Sequence, residues 1–138
     1  MAFALAKAGV RADVPVILNP GHTGGALEFE TAYKKQRADA PPVVFLHGVG
    51  ANSMHWRFQF AGLSDIRRVV AWNAPGYMLS DNLMVEVPEC QTFADALADF
   101  LASVNIDKTE ILANSFGTRV AQCFAHHYPG RVTKMVLT

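Results

Sequence analysis

From residue 43 onward, apolar positions collect in short unbroken runs separated by stretches of helical spacing. Val43-Val44-Phe45-Leu46 is continuous and β-prone, the pattern of a strand covered on both faces. Val69-Val70-Ala71-Trp72 is a second buried strand of this kind, Glu110-Ile111-Leu112-Ala113 a third strand and Val132 to Leu137 a final one. Between the first two runs a helix is predicted from about Met54 to Leu63, with Trp56, Phe58 and Phe60 expected in the core. Phe93, Ala96, Leu97, Phe100, Leu101 and Val104 then form one apolar helical face. Thr92 reads as its N-cap, with Asp95 three residues on completing a capping box. A further helix is predicted from Phe116 to Tyr128, ended by Pro129-Gly130. Strand and helix alternate, which calls for an α/β architecture: a mostly parallel sheet with helices on both faces.

The first forty residues carry weaker signals. Val14 to Leu18 is a short apolar run closed by Asn19-Pro20-Gly21, and Leu27 to Lys35 partly alternates as a half-buried strand does. Ala40-Pro41-Pro42 stops that run. The apolar stretch Ala2 to Ala6 is interrupted by Lys7 and Arg11, so it is too short for a signal-peptide core or a membrane span.

Composition narrows the function classes. The chain has 138 residues, 51% of them hydrophobic and 17% charged, which fits one folded domain and argues against disorder. Lys plus Arg equals Asp plus Glu at 12 each, without a basic stripe, so no nucleic-acid partner is expected. Nor is a membrane partner expected. Cys90 and Cys123 are too few for a disulfide framework and read as reduced thiols, with Cys123 in an apolar packing role. A cytoplasmic location is the expectation that follows. His22 and His55 read as surface or packing residues, and nothing groups them as metal ligands.

The chemistry concentrates at Ala113-Asn114-Ser115-Phe116-Gly117. A serine hydroxyl is a weak nucleophile unless it is exposed, positioned and beside a base. A tight turn from strand to helix meets the first two conditions, and its backbones crowd so closely that the residues two positions either side must be small. Here those are Ala113 and Gly117, making a G-x-S-x-G elbow with alanine for its first glycine. The Phe116 N–H, free at the helix start, then points at the oxyanion that forms when Ser115 attacks a carbonyl. The loop His47-Gly48-Val49-Gly50 is placed to supply a second donor, the Val49 N–H, with His47 shaping the loop. His47, Gly48 and Asn114 are the expected substrate-binding residues. The ordinary reading of Ser115 is a plain N-cap. The upstream His-Gly loop, the small flanking residues and the preceding buried strand outweigh it. Gly48-Val49-Gly50 is not a dinucleotide loop, since Ser53 stands where the third glycine would fall. Asp81 reads as a tie for the Pro75–Ser80 loop.

The ordered series Val43 to Gly48, Trp56-Arg57-Phe58-Gln59, Ala74-Pro75-Gly76-Tyr77 with Ser80-Asp81, and Asn114 to Gly117 resembles the α/β-hydrolase superfamily over residues 27 to 138. It is similar to the branch of carboxylesterases, enol-lactonases, cofactor-free haloperoxidases and meta-cleavage-product C–C hydrolases. The resemblance implies residues 1–26 as an N-terminal extension with a candidate first strand. It reads residues 27–138 as the N-terminal part of an α/β-hydrolase domain, truncated after about the sixth strand, without lid and C-terminal strands. Similar epoxide hydrolases and haloalkane dehalogenases carry aspartate at the elbow, where this chain has Ser115. Two departures are local: Thr118 where a second small residue is usual, implying a slightly wider helix–strand gap, and Asn73 where aspartate is common.

The implied mechanism needs a carboxylate and then a histidine after the serine. Here only His126 and His127 follow, no Asp or Glu does, and both histidines sit roughly 16 Å along the helix that Ser115 begins. The resemblance therefore implies a serine hydrolase acting on a small ester, lactone or C–C bond substrate, needing no metal or organic cofactor. It also implies that this chain alone is inactive without the missing C-terminal half of its domain. A non-catalytic member of the same fold, using the pocket to bind a ligand, stays open, as does a bare α/β fold with an accidental elbow match.

Overall fold

The computed structural model describes residues 40–138, apart from 65 and 79. The expectations for Val14 to Leu18, His22 and Leu27 to Lys35, and the division after residue 26, lie outside the described residues. The central strand β1, Val43–Leu46, is wholly buried. A 3-10 turn, Ser53–Trp56, leads into α1, Arg57–Leu63, and then β2, Val69–Ala71. The rest is α2, Cys90–Ser103; β3, Thr109–Ala113; α3, Phe116–His127; and β4, Val132–Leu137. The strands form one parallel sheet in the order β2-β1-β3-β4.

Period-two alternation explains how this sheet is covered. Val44 and Leu46 face a cluster holding Trp72, from just after β2, with Leu97 and Phe100 of α2 and Val120 and Phe124 of α3. Val43 and Phe45 face the other way, onto Trp56 and Phe60. The Phe45 ring stacks on Trp56 at 5.2 Å and tilts against Phe60 at 5.4 Å. Both faces of β1 are thus apolar and filled, as its continuous hydrophobic run requires. At the sheet's other end, Glu110 bridges Arg67 at 3.0 Å and Lys134 at 3.7 Å.

Two expectations are corrected. Phe58 is 65% exposed, with the Arg57 guanidinium 4.3 Å above its ring. Trp56 and Phe60, four residues apart, share the buried face, and Phe58 between them necessarily points away. The helix expected to start at Thr92 starts at Cys90, and Glu89 is the N-cap: its side chain takes the Thr92 amide while Thr92 Oγ1 takes the Glu89 amide. The capping box is real but reversed, with Thr92 at its third position. Thr118 donates its hydroxyl to Ser115 O at 2.6 Å. Among the described residues no helix is long and apolar enough to cross a membrane.

Candidate functional site

The chain leaves β1 for β2 on one side of the sheet, then crosses to β3 on the other. The carboxyl ends of β1 and β3 therefore flank a topological switch point, where open α/β sheets form their ligand crevices. Two segments meet there: the loop after β1, beginning at His47, and the β3–α3 turn at Asn114-Ser115.

The turn is strained in a definite way. Ser115 has φ 50° and ψ −116°, a conformation costly for any residue with a β-carbon. It occupies the N-cap position of α3, yet its side chain makes no capping bond, and the residue is exposed. The ordinary N-cap role is thus unfilled. Several contacts hold the strained residue. Its N–H donates to Thr138 O at 2.9 Å, and its carbonyl accepts from the Thr118 amide at 2.9 Å as well as from the Thr118 hydroxyl. The small neighbours are needed on the side of β1. A β-carbon on Gly117 would stand 2.7 Å from the Leu46 carbonyl carbon and 2.9 Å from His47 O. Ala113, on the strand side, has no exposure at all.

The β1 loop comes equally close. A β-carbon on Gly48 would lie 2.9 Å from Asn114 Oδ1 and 3.0 Å from Ser115 Cβ. Glycine is what lets this backbone rest against the elbow. Val49 follows with 75% exposure, and among the described residues neither its amide nor that of Phe116 donates in a loop, turn or cap bond.

His47 lies beneath the loop, fully buried. Its Nε2 accepts from the Ala74 amide at 3.0 Å, and its Nδ1 lies 2.9 Å from Gly48 O. Only the neutral ring protonated on Nδ1 satisfies both bonds. Burial holds its pKa below the ordinary histidine value, His55 pushes the same way, and the Gly48 carbonyl opposes them. The ring meets Tyr77 edge-on at 4.7 Å. Asn73 adds a second brace, its Oδ1 accepting from the Ser53 amide at 2.7 Å. The loop is thereby fastened to the residues after β2 at both of its ends.

Sequence reading grouped Gly48, Val49, Asn114, Ser115 and Phe116, and of these the structure sets Gly48 directly against Asn114 and Ser115. Asn114 is partly engaged already, its Nδ2 reaching Thr138 O at 3.4 Å and Thr138 Oγ1 at 3.3 Å. The bracing roles of Asn73, Ala74 and Thr138 went unread. Asn73 alone carried a signal, as a polar residue directly after a buried strand. Among the described residues, no histidine or carboxylate hydrogen-bonds Ser115 Oγ. His126 and His127 are exposed at the far end of α3, with rings 4.7 Å apart. His55 is exposed against Trp56, and the main-chain carbonyl of Asp81 accepts the Gly76 amide at 3.0 Å.

Comparison with known proteins agrees with this architecture. A family model described as the alpha/beta hydrolase fold matches residues 41–138. A 2-hydroxy-6-oxononadienedioate/2-hydroxy-6-oxononatrienedioate hydrolase of Pseudomonas putida is 32% identical over 117 residues, 82% of this chain and 41% of that protein. The crystal structure of Cfl2 from Burkholderia cenocepacia superposes with a TM-score of 0.68 at 35% identity, over 74% of this chain and 34% of that one. An epoxide hydrolase from Bacillus megaterium shares the fold, with a TM-score of 0.66 at 24% identity over 71% of this chain and 35% of that one. The chain spans 34% to 41% of the length of the first curated relatives it matches.

Proposed function

The chain belongs to the α/β-hydrolase fold family, and from that premise we propose that it carries the nucleophile and oxyanion hole of a serine hydrolase acting on a small ester, lactone or C–C bond substrate. One observation carries the reading: Ser115 is exposed and strained, and caps nothing, although it stands at a helix N-terminus. A serine held that way without a capping bond has its hydroxyl available for another task.

In the proposed reaction Ser115 Oγ attacks the substrate carbonyl from the crevice between β1 and β3. Charge then develops on the carbonyl oxygen, where the Val49 and Phe116 amides donate to it. Gly48 admits the substrate close to the backbone, and Asn114 contacts it from the elbow. His47 supports the loop from below in its neutral form. The proton of Ser115 passes to a histidine oriented by a carboxylate, both supplied by residues other than 40–138, and water then releases the acyl group. No metal or organic cofactor enters this scheme.

A fluorophosphonate probe applied to the protein at its natural length tests the proposal. Covalent labelling at Ser115, abolished in Ser115→Ala, is the expected result; no labelling of a folded protein overturns it. The 138-residue chain alone is expected to show no turnover of activated esters above background. A second reading, a ligand-binding member without catalysis, draws on the lack of a base beside Ser115 among the described residues. Absent labelling together with retained binding of a small carbonyl compound would favour it.

A further inference from the structure

Away from the elbow, α2 and α3 pack along one another, and the chain's two cysteines lie in that seam. Cys90 is the first residue of α2, and Cys123 stands in the second half of α3. Cys90 Sγ donates to Arg119 O at 3.5 Å, the carbonyl one helical turn before Cys123 in α3. Both are free thiols, and both keep partial exposure. The chain's two sulfhydryls thus stand within about one helical turn of each other across the seam between two helices. Their environment also distinguishes them: Cys123 packs against the core cluster, whereas Cys90 lies at the exposed start of its helix.

We propose that Cys90 and Cys123 form an oxidant-responsive dithiol, closing to a disulfide that staples the start of α2 to α3. The oxidant is a peroxide. The Cys90 thiolate attacks one peroxide oxygen, giving a sulfenic acid and releasing hydroxide. The Cys123 sulfur then attacks the Cys90 sulfur, the S–S bond forms, and the sulfenic oxygen leaves with a proton as water. Two sulfurs are each oxidised by one electron, and one peroxide is reduced to two waters.

The order of the two steps follows from the surroundings. Burial pushes the Cys123 thiol up to about 11, its hydrogen bond to Cys90 and the charges of Cys90 and Asp95 add to the shift, and Arg119 opposes it. A thiol raised in this way suits the resolving step rather than the first attack. Nearby, Asp95 is already engaged: it accepts from Tyr128 OH at 2.6 Å and from Gln91 Nε2 at 2.5 Å. It remains a fixed negative charge that disfavours a second anion at Cys123.

The consequence reaches the elbow without depending on the chemistry proposed there. The new bond closes a loop that contains β3, Ser115 and the first two turns of α3. It pins the second half of α3 to the start of α2. It also fixes the entry to α2, and hence the end of the exposed segment in which Met84 is 99% and Val87 79% accessible.

Mild hydrogen peroxide applied to the purified 138-residue chain, followed by alkylation of remaining thiols and peptide mapping, tests this. The expected outcome is simultaneous loss of both thiols, a mass lower by two hydrogens, and one peptide pair joined through residues 90 and 123. The joining should run about tenfold or more faster in folded chain than in urea, because the fold supplies the proximity. In Cys123→Ser, a dimedone adduct should accumulate on Cys90; in Cys90→Ser, Cys123 should resist oxidation. Independent oxidation of the two thiols, bonds between chains, or equal rates in folded and unfolded chain would each overturn the proposal. Circular dichroism of both variants confirms that each compares a folded protein.

Discussion

The amide of Ala74 donates to Nε2 of His47 at 3.0 Å, across 27 positions of sequence. This bond needs a neutral ring, so its fate follows pH. In the unfolded chain the ring titrates near the ordinary value of 6.5, while in the fold burial lowers it. As pH falls below about 6.5, the unfolded state takes up a proton that the folded state refuses. Stability from this site is complete above that pH and declines until the folded ring itself protonates. We expect urea midpoints to fall between about pH 7.5 and pH 5.5, and His47→Leu to remove part of that slope. The variant should also lose about 1–3 kcal/mol at neutral pH by orphaning the Ala74 amide. Equal pH slopes in the two proteins would contradict this.

Asn73 offers a sharper comparison. Its Oδ1 takes the Ser53 amide at 2.7 Å, but its Nδ2 is buried without a partner. Asn73→Ala should lose about 1–3 kcal/mol, the cost of a buried unpaired amide. Asn73→Asp keeps the acceptor, deletes the orphaned donor and puts negative charge at the start of a helical turn, so its loss should be clearly smaller. Thermal melts rank the three proteins, and an aspartate variant weaker than the alanine one would refute the account.

Two glycines separate crowding from mere flexibility. At Gly117 an added methyl meets the main chain of Leu46 and His47, while at Gly62, inside α1, nothing lies within 4 Å. Gly117→Ala should cost about 1–3 kcal/mol or more, since backbone has to move. Gly62→Ala should stabilise by about 0.5–1 kcal/mol through helix propensity alone. Denaturant titrations of both check the contrast, and similar effects at the two positions would remove the basis for an elbow built on close approach.

These relationships also show why some of the molecule could be read in advance. Strands β1 to β3 are covered on both faces, so their runs are continuous and stand out, and the small residues around Ser115 follow from crowding that any strand-to-helix elbow must respect. Local ambiguity defeated other readings. α1 is too short for its periodicity to say that Phe58 faces out, and Glu89 with Thr92 makes the same kind of box as Thr92 with Asp95. The braces from Ala74, Asn73 and Thr138 depend on sheet register. That register pairs residues more than twenty positions apart, and nothing local announces it.

Strand β4 carries the last expectation. It ends in the apolar run Met135-Val136-Leu137, yet these residues are 40%, 54% and 40% exposed. Among the described residues β4 pairs only with β3, leaving its outer backbone edge open and both of its faces partly bare. Parallel strands are normally covered on both sides, and an open apolar edge is a template for pairing with another chain. The 138-residue chain should therefore self-associate as its concentration rises. Val136→Lys, at the most exposed of the three positions, should slow that growth, because burying a lysine against a second strand is costly while the folded edge leaves it in solvent. Light scattering follows the association, and the melting temperature should change little. If the unaltered chain sediments as a monomer at high concentration, the edge is protected by something other than residues 40–138.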